Sequence, residues 1–357
     1  GSPHPHAAPR ERGKERSHPT WTPAGNLPAA VFLCTARKHR RKKGGLPRYK
    51  GKYCSDSYGN TLYSPKLSGI IIEQTPLRGI NGKVRDHPME LKNFDNIISR
   101  VPKLNVPLRV VLAGSDGENM LRGLFQAQKE GFVQPVLVGD RARTMVQLEK
   151  LGLDKEPYTM VDTAPGHNVT QAAIDVIHCG EGDILMRGNM PTRDFLMPVL
   201  DKKNGLRTER LMSHVSLASI PEYPKLLALS DMTIIVSPNP TQKKAIIKNT
   251  ADALKAFGYE NPKLALMALV ENVNFHMPDT IEAQRLVSEQ KQHPFADCEL
   301  WGPISYDLII SKEACRLKNY ECPWSGGGFD GLLAQGLIAG NTLVKSWLIH
   351  AHAVTCG

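Results

Sequence analysis

Apolar positions along this chain fall into short runs separated by polar turns, and the runs alternate between two periods. Residues 109–113, RVVLA, form a continuous apolar run of the kind a strand buried on both faces presents. Ser115 and Asp116 then stand where a helix cap belongs, ahead of an apolar face made by Met120, Leu121, Leu124 and Phe125. PVLVG, residues 135–139, is the next strand. A helix carrying Val169, Ala172, Ala173, Val176 and Ile177 delivers the chain into DILM, residues 183–186. The second half keeps the same alternation. It predicts a strand at 233–236 (TIIV), a helix at 241–257, a strand at 263–269, a helix after Pro278, a strand near Phe295, and a helix through Ile310 and Ala314. GLLA and a helix from about Asn341 close the chain. Strands alternating with helices predict an α/β fold: two lobes with mostly parallel sheets covered by helices, and the active-site cleft between them, outside the carboxyl ends of the strands.

With 357 residues the chain is long enough for two cores. No apolar stretch approaches a membrane span, so no membrane partner is expected. Seven scattered cysteines without a CxxC pair read as reduced cytosolic thiols, with neither a disulfide framework nor a zinc site. The net charge of +10 would suggest nucleic acid if it covered a folded face. It does not. Residues 1–88 hold 17 of the 45 Lys and Arg but 5 of the 35 Asp and Glu, a net of +12, and the remaining 28 basic and 30 acidic residues make the rest slightly acidic.

That Pro-, Gly- and His-rich leader is too poor in periodic apolar residues to bury a core, and it predicts disorder. A nucleic-acid-binding tail around residues 37–43 is one reading of it. An expression remnant or upstream region ahead of Met89, where clean periodicity begins, is the favoured one. The organisation expected is therefore a leader over 1–88, a first lobe over 89–200 and a second over 201–357.

Candidate chemistry begins with what is missing. No GxGxxG opens a first βα turn, and there is no GxxxxGK[ST] or HExxH. The twelve histidines show no ligand spacing, so no metal is assigned. Ser213 and His214 are neighbours on an expected strand and point to opposite faces, which argues against a nucleophile–base pair. The segment DILMRGNMPTRDF is more informative. It sets Arg187 and Gly188 at a strand end and Thr192 at the start of a helix, where unpaired N–H groups, a guanidinium and a hydroxyl suit an anion. KNGLRTER adds Arg207 and Thr208 in a polar loop before the next apolar run.

Taken in order, DILMRGNMPTRDFLMPVLDKKNGLRTERLMSHV, ENVNFHMPDT, GPISYDLIISKEA and GLIAGNTLVKS resemble the phosphate butyryltransferase and phosphate acetyltransferase family, the butyryl branch most closely. The resemblance runs from about Met89 to the last residue. It implies reversible transfer of an acyl group between acyl-CoA and phosphate in a ternary complex, with no tightly bound cofactor, CoA and acyl-CoA being substrates, in a cytoplasmic homo-oligomer. It further implies that Arg187, Gly188 and Thr192 cradle phosphate, that Arg207 and Ser213 add charge and hydrogen bonds, and that Asn274, Asp307 and Asn341 line the cleft. Three departures stand beside it. Met197 replaces a usual basic residue and Trp301 a usual aspartate. The family's final strand, with a Ser-Arg motif, is expected to be missing after the helix ending LIHAHAVTCG, which leaves the catalytic residues unassigned and the truncated chain's activity in question. These departures keep a second reading open, a non-catalytic acyl-CoA-binding or regulatory module of the same fold.

Overall fold

The computed structural model describes residues 91–98, 107–164 and 166–357, and the expectations for the leader fall outside them. After α1 (Phe94–Ile98) the chain runs through β1 (Leu108–Ala113), α2 (Glu118–Lys129), β2 (Val133–Gly139), α3 (Arg141–Leu151), β3 (Thr159–Asp162), α4 (Val169–His178), β4 (Ile184–Arg187) and α5 (Thr192–Val199). The four strands make a wholly parallel sheet in the order β3-β2-β1-β4. Its two-residue period separates two apolar layers. Val110 and Leu112 meet Leu121, Phe125 and Leu148 of α2 and α3, while Val111 and Ala113 meet Ala173, Ile174 and Phe195 of α4 and α5. Both faces are buried, which is why β1 reads as an unbroken apolar run rather than an alternating one.

The second sheet is built from β5 (Val215–Ser219), β6 (Leu227–Ser230), α6 (Pro240–Ala256), β7 (Lys263–Met267), α7 (Pro278–Gln292), β8 (Glu299–Ile304), α8 (Tyr306–Ile310), α9 (Lys312–Leu317), β9 (Gly331–Leu333), α10 (Leu337–His350) and β10 (Val354–Cys356). Its order is β10-β5-β6-β9-β7-β8, with β6, β9, β7 and β8 parallel and β5 antiparallel to both neighbours. Ile246, Ile247 and Leu254 of α6 and Leu286 of α7 cover one face, and Leu308, Ile309, Phe329 and Trp347 cover the other. A buried ion pair also sits here. Lys225 Nζ lies 2.6 Å from Asp330 Oδ1 and donates to Gly328 O at 2.7 Å, while Asp330 Oδ2 accepts from the Lys263 N–H.

Several local expectations are corrected. Residues 233–236 form no strand, because the Asp231 carboxylate accepts the N–H groups of Thr233, Ile234 and Ile235 and turns them away from any ladder. Phe295 lies in a turn held by Gln290 Oε1, and the strand starts at Glu299. The helix through Ile310 and Ala314 is two helices broken at Ser311, whose hydroxyl caps the second. Ser115 is not a cap: its hydroxyl is paired with Thr144 Oγ1 at 2.8 Å, and Gly117 stands at the N-cap of α2. The last helix starts at Leu337 rather than about Asn341, and the segment expected to end it holds the short strand β10, antiparallel to β5. Among the described residues, Cys298, Cys315, Cys322 and Cys356 are free thiols, as expected.

Residues 91–98 pack with the second sheet rather than the first. Phe94 and Ile97 lie on its core, and Leu91 O accepts from Leu226 N at 2.7 Å. The segment joining the sheets is moored at both ends. Leu206 is buried in the first core, Leu211 packs against the second, and Met212 packs back on the first.

Candidate active site

In the first sheet the winding reverses between β1 and β4: β2 and β3 lie to one side of β1, and β4 returns on the other. Such a reversal leaves a crevice at the carboxyl ends of the two strands, the usual ligand position in open α/β sheets. Gly188 makes the close approach there possible. A Cβ at this position would stand 1.9 Å from Gly114 O and 2.6 Å from Ala113 O. Gly114 follows β1 with φ +85°, a left-handed backbone that favours glycine. Three of the N–H groups of this turn are used locally. Gly188 N donates to Ala113 O at 2.8 Å, Asn189 N to Gly114 O, and Met190 N to Gly188 O. Gly188 thus shapes the strand end, and side chains are among the polar groups left to meet a ligand.

Arg187, the last residue of β4, supplies one of them. Its Nη1 donates to Thr192 Oγ1 at 2.6 Å across the turn into α5. Half-buried, the guanidinium is held below the usual arginine range by desolvation, yet an arginine stays charged under any ordinary condition. Arg207 lies beyond α5, exposed, in the loop between the sheets. Among the described residues its side chain makes no hydrogen bond or ion pair. Met197, where a basic residue was expected, is exposed on α5.

The remaining candidates lie along one edge of the second sheet, where β6, β9, β7 and β8 end and the antiparallel β5 begins. Ser213 precedes β5 and its Oγ accepts from Asn249 Nδ2 at 2.9 Å. His214 is half-buried beside it, with Nδ1 sharing a hydrogen bond with Thr233 Oγ1 at 3.2 Å. Burial pushes this imidazole below its ordinary value, against the opposing pull of Asp231. After β7, Asn274 uses its Oδ1 to accept from the His276 N–H and so folds its own loop. Asp307 lies in the first turn of α8 and is paired with Lys318 at 2.9 Å. Desolvation opposes its ionisation, but hydrogen bonds from Ser305 and Lys318 outweigh that and hold the carboxyl below its usual range. Asn341 Nδ2 donates to Met232 O at 3.2 Å, tying α10 to the end of β6. Asn274, Asp307 and Asn341 therefore share an edge, each already committed to local structure.

Two groups escaped the sequence reading. Arg210, three residues after Arg207, has its Nη2 on Asn249 Oδ1 at 2.6 Å and Asp252 Oδ2 at 2.7 Å. Lys243 of α6 is buried and paired with Glu282, and its Nζ donates to Gln335 Oε1 at 2.7 Å beside α10. Arg210 was visible only as one more charge in a polar loop, and Lys243 only as a lysine in an amphipathic helix. Among the described residues no cluster of three His, Cys, Asp or Glu could hold a metal ion, and no helix is long and apolar enough to cross a membrane.

The profile of the phosphate acetyl/butaryl transferase family matches residues 163–345, the stretch from the end of β3 into α10. The phosphate butyryltransferase of Clostridium beijerinckii is 31% identical over 71% of this chain and 84% of its own length. The phosphate acetyltransferase of Rhizobium meliloti is 29% identical over 76% of this chain and 85% of its own. Among solved structures, a branched-chain phosphotransacylase from Enterococcus faecalis superposes with a TM-score of 0.60 at 26% identity, covering 70% of this chain and 86% of that one. A phosphotransacetylase from Streptococcus pyogenes shares the fold at a TM-score of 0.59 and 18% identity. With the profile spanning half of the chain and the butyryltransferase spanning most of it, this chain belongs to the phosphate acetyl/butaryl transferase family.

Proposed function

We propose that the protein is an acyl-CoA:phosphate acyltransferase that moves a short acyl group, such as butyryl, from CoA to phosphate and back. The observation that carries this reading is Arg187, fixed on Thr192 at the reversal point of the first sheet in a chain of this family. A phosphate oxygen attacks the thioester carbonyl carbon, the C–S bond breaks, and the CoA thiolate leaves. Arg187 and Thr192 hold the phosphate, and Arg207 and Ser213 add charge and a hydroxyl from the joining segment. Positive groups aimed at phosphate and at the carbonyl oxygen lower the barrier by orientation and by stabilising the charge that develops there. No tightly bound cofactor enters this scheme. Asn274, Asp307 and Asn341 hold the facing loops in place. Two lobes, 107–200 and 201–357 with residues 91–98 attached to the second, bring the two strand-edge sets together around acyl-CoA and phosphate. A cytoplasmic homo-oligomer completes the reading.

A non-catalytic acyl-CoA-binding module is not favoured, because the relatives matched over most of the chain are named as transferases. The test is CoA release from butyryl-CoA, followed by a thiol reagent, with and without phosphate. Phosphate-dependent release with stoichiometric butyryl phosphate supports the transferase. Binding of butyryl-CoA without turnover supports the module.

A further inference from the structure

We propose that Asn249, on α6, is a positioning residue for this transfer, setting the angle at which the joining segment presents Arg207 and Ser213. The segment is held from both sides. Toward the first sheet, Gln171 and His178 of α4 bond Asn204 O at 3.3 Å each, and Leu206 N donates to Val199 O. Gly205 fits so closely there that a Cβ would meet Val199 O at 2.5 Å. Toward the second sheet, the amide of Asn249 makes three of the holding bonds. Asn249 Nδ2 donates to Leu211 O and to Ser213 Oγ, each at 2.9 Å, and Asn249 Oδ1 accepts from Arg210 Nη2 at 2.6 Å. Asp252, one helical turn on, takes the same arginine nitrogen at 2.7 Å.

Residues 207–209 lie between these moorings, and all three are exposed. Arg207 is thus carried on a span whose far end is bonded by Asn249 at Arg210 and Leu211, and the hydroxyl of Ser213 is oriented by the same side chain. Leu211 and Met212, packed into opposite cores, make residues 210–213 the joint between the sheets. Asn249 touches no substrate in this arrangement. Its effect passes through the geometry of groups that do, and a displacement of about 1 Å in such groups can cost about 100-fold in rate.

The inference rests on the transferase reading, so its test has two readouts. Full-length wild type, Asn249→Ala and the isosteric Asn249→Asp are compared at matched folded concentration. Asn249→Asp retains the acceptor for Arg210 and loses the amide donor, and it serves if the alanine variant does not fold. Expected is a fall in kcat of about 10-fold to 100-fold with the KM for butyryl-CoA within about twofold of wild type. Faster tryptic cleavage after Arg207 in the folded protein is expected alongside it. Unchanged kcat per folded molecule overturns the positioning role. If wild type itself has no phosphate-dependent activity, the transferase reading fails, and the cleavage rate still decides: unchanged cleavage after Arg207 shows that Asn249 does not hold the segment.

Discussion

Arg187 Nη1 sits 2.6 Å from Thr192 Oγ1, so a strand's last residue and a helix's first are joined by the side chains proposed to meet phosphate. The bond holds the guanidinium fork in one orientation before any anion arrives, which reduces the ordering cost of binding. Arg187→Ala removes a charge-assisted contact worth on the order of 1.5–3 kcal/mol, a rise in the phosphate KM of about 10-fold to 100-fold. Thr192→Val leaves the charge and removes its anchor together with one neutral hydroxyl contact, and a smaller rise is expected. Phosphate saturation curves at fixed butyryl-CoA give both values. Equal curves for wild type and Arg187→Ala would remove Arg187 from the site.

Gly188 gives a stability prediction independent of any ligand. A methyl group there meets two main-chain carbonyl oxygens of the β1 end, and moving them disturbs the Gly188 N–H to Ala113 O and Asn189 N–H to Gly114 O bonds. Gly188→Ala is expected to destabilise the protein by at least the 1–3 kcal/mol, roughly, of core overpacking. Urea unfolding monitored by circular dichroism measures it. A midpoint equal to wild type would show that the strand ends separate freely.

Much of this architecture could be read from the chain because the signal was local. β1, β2, α4, α6 and β7 are long enough, and periodic enough, for burial to write itself into the residue order. The failures share a cause. TIIV has every property of a strand, yet a carboxylate two residues upstream of Thr233 takes its amides, and nothing in the pattern announces that Asp231 will turn inward. Gln290 does the same to Phe295. For the site, Arg187 and Thr192 were legible because five residues of strand-to-helix turn bring them together. Asn249 was not: its partners lie 36 to 39 residues away, on another element.

The Lys225–Asp330 pair makes a different kind of test, since both side chains are about 5% exposed and 105 residues apart. Removing one partner leaves the other charge buried without compensation, at a cost of about 3–5 kcal/mol. Asp330→Ala also frees the Lys263 N–H, which the carboxylate accepts. A double replacement, Lys225→Met with Asp330→Leu, is expected to recover much of the loss, because no lone charge remains. Denaturant midpoints for both variants and wild type decide. A single variant as stable as wild type would mean that the pair contributes nothing to holding β9 at the centre of its sheet.

His214 ties stability to pH, and the sign follows from its surroundings. Burial lowers its pKa below the ordinary 6.5, with Asp231 and a hydrogen bond involving the Gly357 backbone pulling the other way without reversing the shift. The folded state therefore binds this proton more weakly than the unfolded chain does. Above the unfolded value neither state is protonated there, and the contribution is fully present. As pH falls below about 6.5 the unfolded chain takes up the proton first, and stability is lost progressively down to the depressed folded value. Urea midpoints are expected to decline for wild type from pH 7 toward pH 5. His214→Asn, which cannot titrate, should decline less over the same range, whatever its absolute stability. Only the slope with pH is compared, so the loss of the ring's hydrogen bond to Thr233 Oγ1, which shifts the whole curve, does not enter. Parallel curves for the two proteins would show that His214 meets the same proton affinity folded and unfolded, and that the β5–β6 edge carries no acid sensitivity at this position.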